Sequence, residues 1–186
     1  MTQHHDHAAD PVVAAMIAGP HEPGVRGLAE QVVDGLLELE WTVCVAESLT
    51  GGGVCAALTS IPGASGCVRG GVVSYSTDIK HSVLDVDAEL LRRRGAVDAQ
   101  VAEEMARGAA ALLGADCAIA TTGSAGPDPA PGGTETESVE PGVVFIAVHT
   151  PSATWVEQLS LRGDRGQIRL ETVQAALQAL IRTLRT

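Results

Sequence analysis

Lys80 is the only lysine of this 186-residue chain; every other residue among its 12 lysines and arginines is an arginine. It lies five positions after the only tyrosine, in Ser74-Tyr75-Ser76-Thr77-Asp78-Ile79-Lys80. An arginine keeps its proton at any physiological pH, whereas a lysine that is buried or set beside another cation can lose it and act as a base. Lys80 is therefore a candidate for amine chemistry, against the competing account of one lysine left by chance in an arginine-preferring genome. A second candidate is Ser48, in Ala46-Glu47-Ser48-Leu49-Thr50-Gly51-Gly52. There a short apolar run gives way to a glycine-led helix, whose first N–H groups can bind a phosphate or the oxyanion of acyl transfer. A serine hydroxyl is a weak nucleophile until a base takes its proton. In isolation, Ser48 and Thr50 could merely cap the helix while the glycines permit close packing. The nearby tyrosine and lysine tip the reading towards acyl chemistry.

Familiar serine and nucleotide motifs do not fit. No lysine follows Ser48 at the spacing of penicillin-binding proteins, and no Gly-x-Ser-x-Gly elbow, histidine partner or Walker phosphate loop is evident. Short-chain dehydrogenases also use serine, tyrosine and lysine, but behind an N-terminal glycine-rich nucleotide motif that is missing here, which disfavours hydride transfer.

The elements that must position these residues follow from periodicity and breakers. Residues 1–24, with Pro11, Gly19-Pro20 and Glu22-Pro23-Gly24, predict a flexible tail, and residues 25–186 a single domain. Helical spacing of apolar residues runs from Leu28 to Leu39, then Trp41 to Ala46 reads as a buried strand. Gly51-Gly52-Gly53 opens a helix closed by Pro62-Gly63, and Gly70 to Ser76 reads as the next strand. Ser76 or Thr77 caps the following helix, which places Lys80 about one turn in, where it could converge with Tyr75. Helices are expected over 88–94 and 98–113, ended by Gly95 and Gly114, followed by a strand over 117–122. The stretch Gly123 to Gly142 has no apolar period and predicts a long loop, a candidate lid. Strands over 143–149 and 155–161, turned at Pro151-Ser152, form a hairpin, and a last helix runs from Arg165 to Leu184. Alternating helices and buried strands, with an antiparallel hairpin, predict a three-layer α/β/α sandwich with a mixed sheet.

Composition excludes several classes of function. The only aromatic residues are Trp41, Tyr75, Phe145 and Trp155, and the net charge is −11, so neither a stacking platform nor a phosphate-binding surface for nucleic acid is expected. The densest cationic run, Arg92-Arg93-Arg94, reads as a solvated helix end. Cys44, Cys55, Cys67 and Cys117 lack Cys-x-x-Cys spacing and fall in apolar stretches, which predicts free thiols. His4, His5 and His7 sit in a polar tail without fixed geometry, so no metal site is expected. Neither a signal peptide nor a membrane-spanning run is present, and a soluble cytoplasmic protein is expected.

Six ordered motifs carry a resemblance. Ala46-Glu47-Ser48-x-Thr50-Gly51-Gly52, Ile61-Pro62-Gly63-x-Ser65, Gly71-x-Val73-x-Tyr75-Ser76 with Lys80 following, Gly95-Ala96-Val97, Thr122-Gly123-x-Ala125-Gly126-Pro127 and Gly163-Asp164-Arg165 together resemble the CinA C-terminal domain, the nicotinamide-nucleotide amidohydrolase family. The resemblance implies hydrolysis of the carboxamide of nicotinamide mononucleotide to nicotinate mononucleotide and ammonia, without metal or cofactor, by a homodimer. On it, Ser48 is the nucleophile, Tyr75 and Lys80 activate it and transfer protons, and Thr122, Gly123 and Arg165 hold the small-molecule nucleotide; Thr50, Gly51 and Gly52, in the turn that opens the helix after Ser48, are expected to bind it as well. Two features depart from the family pattern: Thr77 stands where asparagine is common, and the loop after Pro127 is longer. A nucleotide-binding module that has lost turnover is the alternative.

Overall fold

The structure, a computed structural model, describes residues 23–185. Its elements are α1 (Pro23–Glu38), β1 (Val43–Glu47), α2 (Gly53–Thr59), a 3-10 turn (Ala64–Gly66), β2 (Val68–Val73), α3 (Thr77–Leu84), α4 (Ala88–Arg94), α5 (Ala99–Leu113), β3 (Cys117–Gly123), β4 (Val143–His149), β5 (Thr154–Ser160) and α6 (Arg165–Leu184). The first helix starts at Pro23 rather than at the expected Leu28, because Val25 and Ala29 extend the buried stripe formed by Val32, Val33 and Leu36. Most of the tail expected over 1–24, with its histidines, lies outside the described residues.

The five strands form one sheet in the order β2-β1-β3-β4-β5. Strands β2, β1 and β3 are parallel, and β3, β4 and β5 antiparallel, so the sheet is mixed as expected. Its register fixes where chemistry can occur. Glu47 pairs with Val73 on one side and Thr121 on the other. The residues that follow, Ser48, Ser74 and Thr122, therefore stand at one level, at the carboxyl edge of the three parallel strands where α/β sheets bind ligands.

Helical layers cover both faces, with different packing. Against one face, α1, α2 and α6 contribute branched aliphatics including Val32, Leu36, Leu58, Ile168, Leu177 and Leu180. On the other, α5 lies against the sheet through Ala102, Ala106 and Ala109, and the strands answer with Ala46, Ala118, Ala120 and Ala147. Small side chains on both surfaces bring helix and sheet close together. Gly108 extends this closeness to α3, since a Cβ there would lie 1.9 Å from the Leu84 carbonyl oxygen.

The four cysteines are free thiols. Burial pushes Cys44 and Cys117 up to about 12, so neither is a nucleophile at neutral pH.

Residues 124–142, expected as a long loop, form a flap pinned to α4. Ala130 and Val139 exchange two backbone hydrogen bonds of 2.8 Å, and the N–H groups of Thr134 and Glu135 donate to the carbonyls of Arg92 and Arg93 at 2.9 and 2.8 Å. Gly133 must be glycine there, because a Cβ would lie 2.2 Å from Arg93 O. Arg92, Arg93 and Arg94, expected as a solvated helix end, are half exposed and also hold the flap: Arg93 and Arg94 pair with Glu135, and Arg92 reaches Thr134 Oγ1.

Candidate active site

A cavity of about 350 Å³ opens at the carboxyl edge of the parallel strands, within the range of small-molecule sites, roughly 300–1,000 Å³. Ser48, Tyr75, Thr122, Gly123 and Arg165 line it, together with Thr77, Asp128 and the near end of the flap. Five of the nine site residues picked from sequence thus face one space.

Lys80 stands behind Ser48. Helix α3 begins after Ser76 and turns Lys80 inward, where it is fully buried. Its Nζ donates to the Ser74 carbonyl at 2.6 Å and lies 3.1 Å from Ser48 Oγ. Burial pushes the amine from 10.5 down to about 8, since an ammonium loses hydration there and, among the described residues, no carboxylate pairs with it. Such an amine is partly neutral near pH 7, and its hydrogen-bond contact with a serine hydroxyl is the geometry of a base and its nucleophile.

Tyr75 does not converge with Lys80. It lies just before the α3 N-cap, 60% exposed, and its hydroxyl accepts from Arg165 Nη2 at 3.0 Å. Arg165 Nη1 donates to Gly126 O at 2.9 Å, so this guanidinium joins the end of β2 to the base of the flap. Arg165 is the first residue of α6, which Asp164 and Gln167 cap reciprocally. The N–H groups of Arg165 and Gly166 carry no hydrogen bond among the described residues.

The helix following Ser48 departs from expectation. Its N-terminal N–H groups are not free, because Glu47, fully buried, turns its carboxylate onto them. Glu47 accepts from Gly52 and Val54 on Oε2, at 2.9 and 3.1 Å, and from Cys55 on Oε1, at 2.8 Å. The carboxylate occupies the anion site that a ligand was expected to use. Thr50, Gly51 and Gly52 accordingly sit in the turn behind the cavity rather than in its wall. The Thr50 hydroxyl is buried against Thr121 Oγ1 at 2.7 Å, while Thr122 Oγ1 donates to Ala96 O at 2.6 Å.

Two residues escaped the sequence reading. Glu47 lay inside the quoted motif with no role assigned, although a carboxylate at the end of a buried strand before a helix is itself a capping signal. Arg169 was missed altogether, yet it stands four residues after Arg165 and so on the same side of α6. Its Nε and Nη2 donate to the carbonyls of Leu49 and Thr50, each at 2.9 Å.

The fold and site define an α/β/α protein with a serine–lysine pair at the carboxyl edge of its parallel strands. The CinA C-terminal domain model matches residues 25–184, and the chain belongs to that family. A CinA-like protein of Frankia casuarinae is 39% identical over 190 residues, covering 95% of this chain and 42% of that protein. One from a Synechococcus species is 46% identical over 148 residues, covering 80% and 34%. The chain thus spans between about a third and two fifths of the length of such relatives. Among solved structures, the competence/damage inducible protein of Agrobacterium tumefaciens superposes with a TM-score of 0.80 at 36% identity, covering 89% of this chain and 98% of that one. The competence damage-inducible protein A of Klebsiella pneumoniae gives 0.80 at 34%, covering 87% and 97%. No helix among the described residues is long and apolar enough to cross a membrane.

Proposed function

We propose that the protein is an amidohydrolase that deamidates nicotinamide mononucleotide to nicotinate mononucleotide and ammonia, in pyridine nucleotide salvage. The observation that carries this reading is the fully buried Lys80 amine 3.1 Å from Ser48 Oγ, its proton affinity lowered by burial.

Each step falls to a residue of the chain. Neutral Lys80 takes the Ser48 proton as Oγ bonds to the amide carbon, and the carbonyl electron pair moves onto oxygen. The C–N bond then breaks, Lys80 returns the proton to nitrogen, and ammonia leaves. Water, deprotonated by Lys80, hydrolyses the ester and frees Ser48. Arg165 and the two unpartnered N–H groups at the start of α6 suit the substrate phosphate, and Tyr75 holds Arg165 rather than taking the serine proton. Thr122 and Gly123 form the floor against which the nucleotide lies. On its likeness to the family, the protein acts in the cytoplasm as a homodimer.

The test is ammonia release from nicotinamide mononucleotide, followed with chromatography of the nucleotide product. Ser48→Ala should lower turnover by roughly 10³-fold or more while nucleotide affinity by calorimetry stays within a few fold. Binding without turnover in the parent protein would identify an inactive nucleotide-binding module instead.

A further inference from the structure

Amide attack by Ser48 puts negative charge on the carbonyl oxygen, and a serine hydrolase needs N–H donors aimed at that oxygen. The α2 donors are taken: Gly52, Val54 and Cys55 point at Glu47, and Gly51 and Gly53 donate to Ser48 O and Thr50 O. From Leu49 to Cys55, only the N–H groups of Leu49 and Thr50 carry no hydrogen bond among the described residues. Leu49, directly after the nucleophile, lines the cavity.

Arg169 governs where these two N–H groups point. A trans peptide sets its C=O and N–H on opposite sides of one plane. Holding Leu49 O at 2.9 Å therefore turns the Thr50 N–H away from α6. Holding Thr50 O aims the Gly51 N–H, which donates to Ser48 O at 3.1 Å and so sets the Leu49 N–H opposite. Among the described residues the guanidinium has no carboxylate within ion-pair distance, and its Nη2 would lie 3.3 Å from a Cβ on Gly51. Its fork is committed to two successive carbonyls.

We propose that Arg169 is a positioning residue, whose grip on Leu49 O and Thr50 O aims the cavity-lining N–H of Leu49 at the oxyanion formed when Ser48 attacks. The oxyanion takes its electron pair from the carbonyl double bond, and the Leu49 N–H proton stays on nitrogen. This inference rests on the serine amidohydrolase reading above.

Arg169→Lys is the test, since a lysine keeps the charge but cannot fork onto two carbonyls. A lost or misdirected oxyanion donor lowers turnover by roughly 10²-fold. The expected result is a fall in kcat of about 10-fold or more, with KM within about 3-fold and the pH midpoint of activity where Lys80 sets it, at about 8. A kcat within about 2-fold of the parent, or a loss shared equally with KM, overturns the proposal. If Arg169→Lys does not melt cooperatively, Arg169→Gln carries the same measurements; failure of both to fold makes Arg169 a structural brace and also overturns it. Labelling by a fluorophosphonate, in which Ser48 displaces fluoride from phosphorus, separates this proposal from the substrate reading. If the parent labels at Ser48 but releases no ammonia, the substrate reading falls, and slower labelling of Arg169→Lys still supports Arg169. Equal labelling rates, or no labelling of the parent, overturn it.

Discussion

Replacing Lys80 by methionine should raise stability at neutral pH while abolishing turnover. The amine is fully buried, and its partners are Ser48 Oγ and Ser74 O. Its displacement from 10.5 to about 8 corresponds to a penalty of about 3 kcal/mol on the buried cation. Below pH 8 the amine is protonated in both folded and unfolded chains, and the whole penalty is present. Between about 8 and 10.5 the unfolded chain holds a proton that the folded chain has lost, so stability rises with pH. Above 10.5 both forms are neutral and the penalty is gone. A methionine fills similar space without charge, but leaves Ser74 O without its donor, a loss of about 1–2 kcal/mol. The variant should then be more stable by about 1–2 kcal/mol at pH 7, raising Tm by roughly 2–8 °C for a chain of this size. The gap should close and change sign between about pH 9 and 10. Thermal melts of both proteins from pH 6 to 10.5, alongside ammonia release, provide the assay. A variant less stable than the parent at pH 7, or a gap indifferent to pH, would refute the argument that Lys80 is a strained, proton-shedding amine.

Lys80→Arg keeps the charge but cannot accept a proton, so turnover should drop by roughly 10²-fold or more; retained activity would remove Lys80 as the base. In the parent, kcat/KM should climb about tenfold per pH unit below the Lys80 value of about 8 and level off above it, as pH-rate profiles would record. Glu47→Gln sets an amide NH2 against N–H groups that now donate to a carboxylate, and should lower stability by about 2–3 kcal/mol in a denaturant titration. Glu135→Ala frees the flap from Arg93 and Arg94; because these pairs are half exposed, KM should rise by about 5-fold at most, with kcat unchanged and the effect fading in high salt.

Much of the layout was legible from local signals. The buried strands announced themselves by apolar runs, the helix ends by Gly95 and Gly114, and the layered mixed sheet followed from alternation and the hairpin. Ser48 and Lys80 stood out because one was a serine before a glycine-led helix and the other a lone amine. What sequence could not convey was which hydrogen-bonding group each residue would satisfy. Tyr75 and Lys80, five residues apart, diverge because α3 begins between them and sends one side chain inward and the other across to Arg165. The α2 N-terminus seemed an anion site, and is one, but its anion is Glu47 from the preceding strand. Arg169 acts across 120 residues of chain on Leu49, a pairing that no local window contains. The flap looked structureless because its order comes from the backbone of α4 rather than from its own apolar period.

The alanine-faced side of the sheet makes the tolerance of this chain to sequence drift lopsided. Where Val32, Leu36, Ile168 and Leu177 meet, aliphatic residues can exchange at nearly constant volume, and a lineage or a randomised library can wander. Between α5 and the strands, Ala46, Ala106, Ala109 and Ala120 are fully buried with small neighbours opposite, so any larger side chain must lever the helix off the sheet. That lever ends at the site, because Ala46 precedes Glu47 and Ser48 on β1, and α5 bears on the end of α3, the helix that carries Lys80. Diversity should accumulate on the branched side, while the alanine side, although it lies outside the cavity wall, stays nearly as invariant as Ser48.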